Sequence, residues 1–204
     1  MTTKEKILNK ALTLFSSKGF EAVSVKEIAA DVGIKDSSLY KHFKSKQEIF
    51  DTILEECCHR SSSYFEKYGI SEDLDEDTLS KLKRLSNEDF IEIALGLFEQ
   101  FLFDDYIIEF RKILTIEQYN CSKMSELFQM IFMYSIMNYL KQMFQMFIDD
   151  GIFIEEDVNF LADEFYAPVF MMYYQLDTNQ NSEKNLREYL KKHFMKFIET
   201  YTKK

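Results

Sequence analysis

Between Lys35 and His42 only Leu39 is apolar; Lys35, Asp36, Ser37, Ser38, Tyr40, Lys41 and His42 crowd one short stretch with donors and acceptors. Chemistry of that kind is recognition. Lysine donates to guanine edges or phosphate oxygens and serine serves either way. Lys35, Ser37, Ser38 and Lys41, with Lys26 upstream, are therefore candidates for base-edge contacts in a DNA groove. A solvent-facing role for any one of them fits the sequence equally well. Covalent chemistry is not suggested: no Ser-His-Asp or Cys-His order comes with a supporting loop, and no glycine-rich phosphate cradle is present. No catalytic residue is nominated and no enzyme is expected. The run Cys57-Cys58-His59 invites a metal reading. Adjacent side chains on a helix diverge by about 100°, however, and no second ligand pair stands at finger-like spacing, so neither a metal nor a cofactor is expected.

Such a stretch needs a scaffold to hold its angle. Ser24 and Glu27 form an S-x-x-E capping box that starts one helix, and Val25, Ile28, Ala29 and Val32 mark its apolar face. Gly33 follows at once. Lacking a β-carbon, it adopts positive φ, ends that helix and lets the chain re-enter another within a few residues. Ala29 lets the two backbones approach where they cross. Ile34 and Leu39 hold the second helix at a steep angle with its polar residues outward, as a helix lying in a major groove requires. A second capping box, Ser45 with Glu48, opens a helix of about 22 residues through Ile49, Phe50, Ile53 and Leu54 that stops near Gly69. Upstream, Thr2 with Glu5 caps a first helix whose buried face is Ile7, Ala11, Leu14 and Phe15. Gly19 ends that helix, and Phe20 closes on Phe15 as the contact of a Schellman motif.

The order Gly33-Ile34, Leu39-Tyr40, His42-Phe43 and Lys46 resembles that of the TetR family of bacterial transcriptional regulators, and the likeness covers roughly the first 55 residues. The resemblance implies that Tyr40 and Lys46 contact phosphates and fix the docking register. His42 stands between touching a backbone phosphate and packing beside Phe43. Ser24, at a helix start where exposed amides attract anions, is a further phosphate candidate. Two positions depart from the family pattern. Lys35 stands where the family often has a capping Ser, and Ser37 where Gly is common, so Asp36 or Ser37 is expected to cap the reading helix.

Composition agrees with an all-α chain: 204 residues contain 5 Gly and 1 Pro. The net charge of −10 hides an asymmetry, since residues 1–50 carry nine Lys against six acids while residues 51–204 carry 16 basic against 29 acidic side chains. Only the N-terminal part can approach phosphates favourably, so DNA binding should be oriented and salt-sensitive. The N-terminus lacks a signal-peptide core, no run of about 18 uncharged apolar residues appears, and three cysteines fit a reducing compartment. A cytoplasmic protein without membrane contact is expected.

The expected architecture has about nine helices. Residues 1–50 form a three-helix helix-turn-helix DNA-binding domain, and residues 51–204 a helical effector-binding and dimerisation domain. The acidic stretch 70–78 reads as a solvated connection; helices follow at 78–85, 88–103, 105–119, 123–149, 155–177 and 183–201, with Gly151 breaking the long one and Pro168 bending its successor. Leu186, Leu190, Phe194 and Phe197 form an apolar stripe expected at a dimer interface. The resemblance implies a four-helix bundle across a two-fold axis, and hence a roughly palindromic operator. Phe98, Phe101, Tyr106, Phe110, Met133, Tyr134, Met137, Phe170 and Tyr173 suit equally a filled core or an apolar ligand cavity; the resemblance implies an effector pocket in this region. The expectation is a homodimeric repressor that binds double-stranded operator DNA and is released by a small, largely apolar molecule. The competing reading is a non-DNA-binding helical dimer that holds a protein or lipid-like partner. Salt-steep, sequence-preferring DNA binding separates the two.

Overall fold

The computed structural model describes residues 1–178 and 183–204. Among the described residues the elements are helical. They are α1 (Thr3–Lys18), α2 (Val25–Val32), α3 (Asp36–Leu39), α4 (Lys46–Lys67), α5 (Glu76–Leu82), α6 (Asn87–Phe103), α7 (Asp105–Glu117), α8 (Ser122–Gln129), α9 (Ser135–Asp149), α10 (Val158–Thr178) and α11 (Glu183–Tyr201). A π-helical turn, Met130–Tyr134, joins α8 to α9. The expected spans are met within a few residues, apart from that turn, which divides the expected helix 123–149. Two compact units emerge: Met1–Ser61 with Asp105–Gln129, and Ser62–Asp104 with Met130–Lys204.

In the first unit local signals act largely as their chemistry dictates. Thr2 and Glu5 complete a reciprocal capping box on α1. The α2 box is only half made, because Ser24 accepts from the Glu27 amide while the Glu27 carboxylate turns to Lys18, 2.5 Å away. Gly33 is left-handed at φ 79 and ψ 31, and the bonds Gly33 N to Ala30 O and Ile34 N to Ala29 O give a Schellman end. Gly19 does not. Its ψ of 154 is extended, so the Phe15–Phe20 contact at 5.2 Å belongs to a sharper exit than expected. Leu12 rather than Leu14 completes the fully buried face of α1. Phe20 packs in turn on Phe50, and Phe50 on Phe110 of α7, so α7 shares a core with the N-terminal helices.

The second unit centres on Phe165. Its ring stacks on Phe194 at 4.5 Å and meets Phe197 at 5.0 Å and Phe144 at 5.5 Å, which ties α9, α10 and α11 together. The stretch 70–78 is more than a solvated link. Ile70, Leu74 and Thr78 are buried, and Thr78 accepts from the Ser71 amide. At the π turn the Phe132 carbonyl accepts from the buried Tyr166 hydroxyl at 2.7 Å, a partner that a wider turn requires. Leu186, Leu190, Phe194 and Phe197, expected at a dimer interface, are instead buried in the chain's own core, at 6, 0, 0 and 2% exposure. The stripe is apolar as expected, and its Phe194 and Phe197 rings meet Phe98, Phe144 and Phe165 of α6, α9 and α10. Pro168 lies inside α10.

Candidate nucleic-acid interface

The reading stretch is held from beneath by two residues. Leu39 and Phe43 are 0 and 1% exposed, and around them Lys35, Ser37, Tyr40, Lys41 and His42 are exposed, Tyr40 at 54%. Ser38 is half-buried. His42 is exposed on the polar surface. Regular helix covers only Asp36–Leu39; a turn with bonds His42 N to Leu39 O and Phe43 N to Leu39 O carries the chain onward. Lys35 occupies the N-cap position without a side-chain cap bond, and Asp36 is the first helical residue, so neither Asp36 nor Ser37 caps as expected. The reading helix thus begins with uncapped amides, beside which the Asp36 carboxylate is favourably placed.

Ser24 and Lys26 are exposed at the start of α2. The Ser24 hydroxyl already accepts from Glu27 N, at 3.2 Å. Lys18 holds the Glu27 carboxyl below its usual range, chiefly by a hydrogen bond. Lys10 pairs with Asp31 at 3.0 Å, a second ion pair between α1 and α2.

Lys46 differs from the other nominated residues. Its ammonium donates to the Phe20 carbonyl at 2.6 Å and to the Glu21 carbonyl at 3.3 Å, and lies 4.3 Å from the Phe20 ring centroid. It is half-buried and directed inward at the turn between α1 and α2. On α7, Glu117 reaches the same turn: its carboxylate accepts from Glu21 N at 3.1 Å and is 5% exposed. Sequence reasoning did not single out Glu117, and a separation of 96 residues leaves no local signal for it.

The nine residues nominated for an effector pocket fall in both units, and of them Phe170 and Tyr173 meet ring to ring at 6.0 Å. Tyr106 and Phe110 lie in the first unit, where the Tyr106 hydroxyl donates to the Ile53 carbonyl at 3.4 Å and Phe110 is fully buried. Phe98 and Tyr173 are buried in the second unit, Phe101, Met137 and Phe170 are half-buried there, and Met133 and Tyr134 are exposed. None lines the 420 Å³ pocket formed by Tyr68, Leu85, Asp89, Glu92, Ile93, Gly96, Glu99 and Arg187.

A family model for bacterial regulatory proteins of the tetR family matches residues 7–53. The likeness to the TetR family thus rests on this N-terminal region. The biofilm operon icaADBC negative transcriptional regulator IcaR of Staphylococcus aureus is 46% identical over 55 residues, 27% of this chain and 29% of that protein. The corresponding Staphylococcus epidermidis regulator is 43% identical over 54 residues. The chain thus spans under a third of the length of these relatives. Whole-length likeness is one of fold. SmeT, the repressor of the Stenotrophomonas maltophilia multidrug efflux pump SmeDEF, superposes with a TM-score of 0.65 at 18% identity, over all of this chain and 92% of SmeT. A TetR family regulator from Pseudomonas syringae gives 0.63 at 17% identity, over 97% and 96% of the two chains. No helix among the described residues is long and apolar enough to cross a membrane.

Proposed function

We propose that the chain is a ligand-responsive transcriptional repressor, in which residues 1–50 read a palindromic operator and residues 51–204 dimerise and bind the effector. The observation that carries this reading is the exposed array Lys35, Ser37, Tyr40, Lys41 and His42 seated on buried Leu39 and Phe43 within a TetR-type helix-turn-helix. Tyr40 then serves phosphate, while Lys35, Ser37, Ser38 and Lys41 face base edges, with Ser24 and Lys26 flanking. Lys46 acts from behind, by fixing the turn that presents them.

Dimerisation is assigned to the face of α10 and α11 that the core leaves open. Phe160, Met171 and Tyr174 recur at helical spacing along α10 at 53, 47 and 45% exposure, and Tyr189 and Met195 stand exposed on α11. Two such faces related by a two-fold axis bury each other. The effector is a small, largely apolar molecule held among the aromatic side chains of residues 51–204. SmeT, which shares the fold, has been solved in complex with triclosan. An effector releases DNA by preferring the arrangement that fits the operator poorly, and only by its differential affinity for the two states.

Fluorescence anisotropy with duplexes enriched from a random library tests the reading across a salt series. A preference of about 10³ or more over scrambled DNA, steep in salt, is expected. Binding without sequence preference at any salt would overturn it.

A further inference from the structure

We infer that Glu117 is a positioning residue for DNA recognition: it grips the peptide unit between Phe20 and Glu21 and so fixes the turn from which the reading pair starts. The inference rests on the proposed function for its consequence and on geometry for its substance.

One peptide group is held at both of its poles. The Phe20 carbonyl oxygen takes the Lys46 ammonium at 2.6 Å, and the Glu21 N–H of the same peptide donates to Glu117 Oε1 at 3.1 Å. A peptide dipole has its negative end at oxygen and its positive end at the amide hydrogen, so a cation at one and a carboxylate at the other orient it without conflict. Neither partner is local: Lys46 comes from the start of α4 and Glu117 from the end of α7. The backbone passes close enough to demand glycine. A β-carbon on Gly19 would lie 2.6 Å from Glu117 Oε1 and 3.3 Å from the Ile116 side chain, and Gly19 sits at φ 87 besides. Three residues beyond the gripped peptide, Ser24 caps α2, so the entry of α2, and with it the angle of α3, is set by this clamp.

A side chain 5% exposed that carries charge is costly unless it is hydrogen-bonded, and a carboxylate at this position is bonded to the turn. Movement of the end of α7 therefore pulls directly on the Glu21 amide.

The test uses the full-length chain with Glu117→Ala, Glu117→Gln and Gly19→Ala. Exchange of the Glu21 amide should quicken roughly tenfold in Glu117→Ala, with the α1 amides unchanged. Affinity for a duplex that the wild type enriches from a random library should fall about tenfold, and Glu117→Gln, which keeps an acceptor oxygen, should restore both. Gly19→Ala should weaken DNA binding more in the wild-type background than beside Glu117→Ala, because the closest approach of the added methyl, 2.6 Å, is to the carboxylate. Unchanged Glu21 exchange overturns the inference. So does faster exchange with unaltered affinity, or a failure of Glu117→Gln to rescue. A wild type that enriches no duplex overturns the proposed function instead, and the Glu21 exchange rate then still decides the clamp.

Discussion

The Lys46 ammonium sits 4.3 Å from the centre of the Phe20 ring and 2.6 Å from the Phe20 carbonyl oxygen, with the ring itself packed edge-on against Phe50 at 5.2 Å. Under the proposed function, a lysine so placed supports DNA reading from behind the turn rather than by contact with phosphate. Lys46→Gln should therefore weaken operator binding while leaving the slope of log affinity against log salt unchanged. Loss of a phosphate contact in each of two subunits would instead lower that slope by about 1.8, at about 0.9 per phosphate. A salt titration of the wild type and the variant decides between them.

Tyr40 makes the opposite case. At 54% exposure its hydroxyl contributes little to the fold, so Tyr40→Phe should leave stability within about 0.5 kcal/mol of wild type. A hydrogen bond to a charged phosphate is worth about 1.5 kcal/mol or more, so affinity should fall roughly tenfold. Chemical unfolding and anisotropy on the same samples provide the check, and an unaltered affinity would remove Tyr40 from the interface.

The difference between these two residues was not legible in the sequence. Their spacing in the motif is equally regular; only the position of Phe20, brought close by the turn at Gly19, separates an inward lysine from an outward tyrosine. What was legible depended on neighbours in the chain: the Thr2–Glu5 box, the left-handed Gly33 and the Gly151 break each act within one helical turn. The stripe Leu186, Leu190, Phe194 and Phe197 was also visible, yet an apolar face has the same periodicity whether its own core or a second subunit covers it. At the π turn Met130–Tyr134 the Phe132 carbonyl bonds to Tyr166, 34 residues away, and Glu117 makes its contact across 96. Burial of Leu74 within an acidic stretch likewise needs packing that periodicity does not carry.

Burial raises the Glu109 carboxyl pKa, against a weaker lowering by the Thr13 hydroxyl, which donates to it at 3.4 Å. A raised folded-state pKa means that the native state binds the proton more tightly than the unfolded chain. The associated stability is present below the unfolded carboxyl range and is lost as pH rises through the folded pKa. At neutral pH the charged form is thus a net cost. Glu109→Gln, which retains an acceptor for Thr13, should raise the urea midpoint at pH 7, and the gain should vanish at a pH acidic enough to protonate Glu109 in both states. A midpoint lowered at pH 7 would show that the charge stabilises.

Phe194 and the pair Met171 and Tyr174 separate core from interface. Phe194 is fully buried and stacked on Phe165 at 4.5 Å, so Phe194→Ala removes a ring from a packed core and should cost about 3–5 kcal/mol, lost as global unfolding. Any loss of dimer in that variant should coincide with loss of helix. Met171 and Tyr174 are exposed on α10, and in the proposed dimer glutamate at both positions would place like charges opposite each other across the two-fold axis. That double variant should sediment as a monomer while retaining its helical signal, and should bind operator far more weakly because only one reading head engages at a time. A double variant that stays dimeric would move the interface elsewhere. A folded Phe194→Ala monomer would return it to the buried stripe.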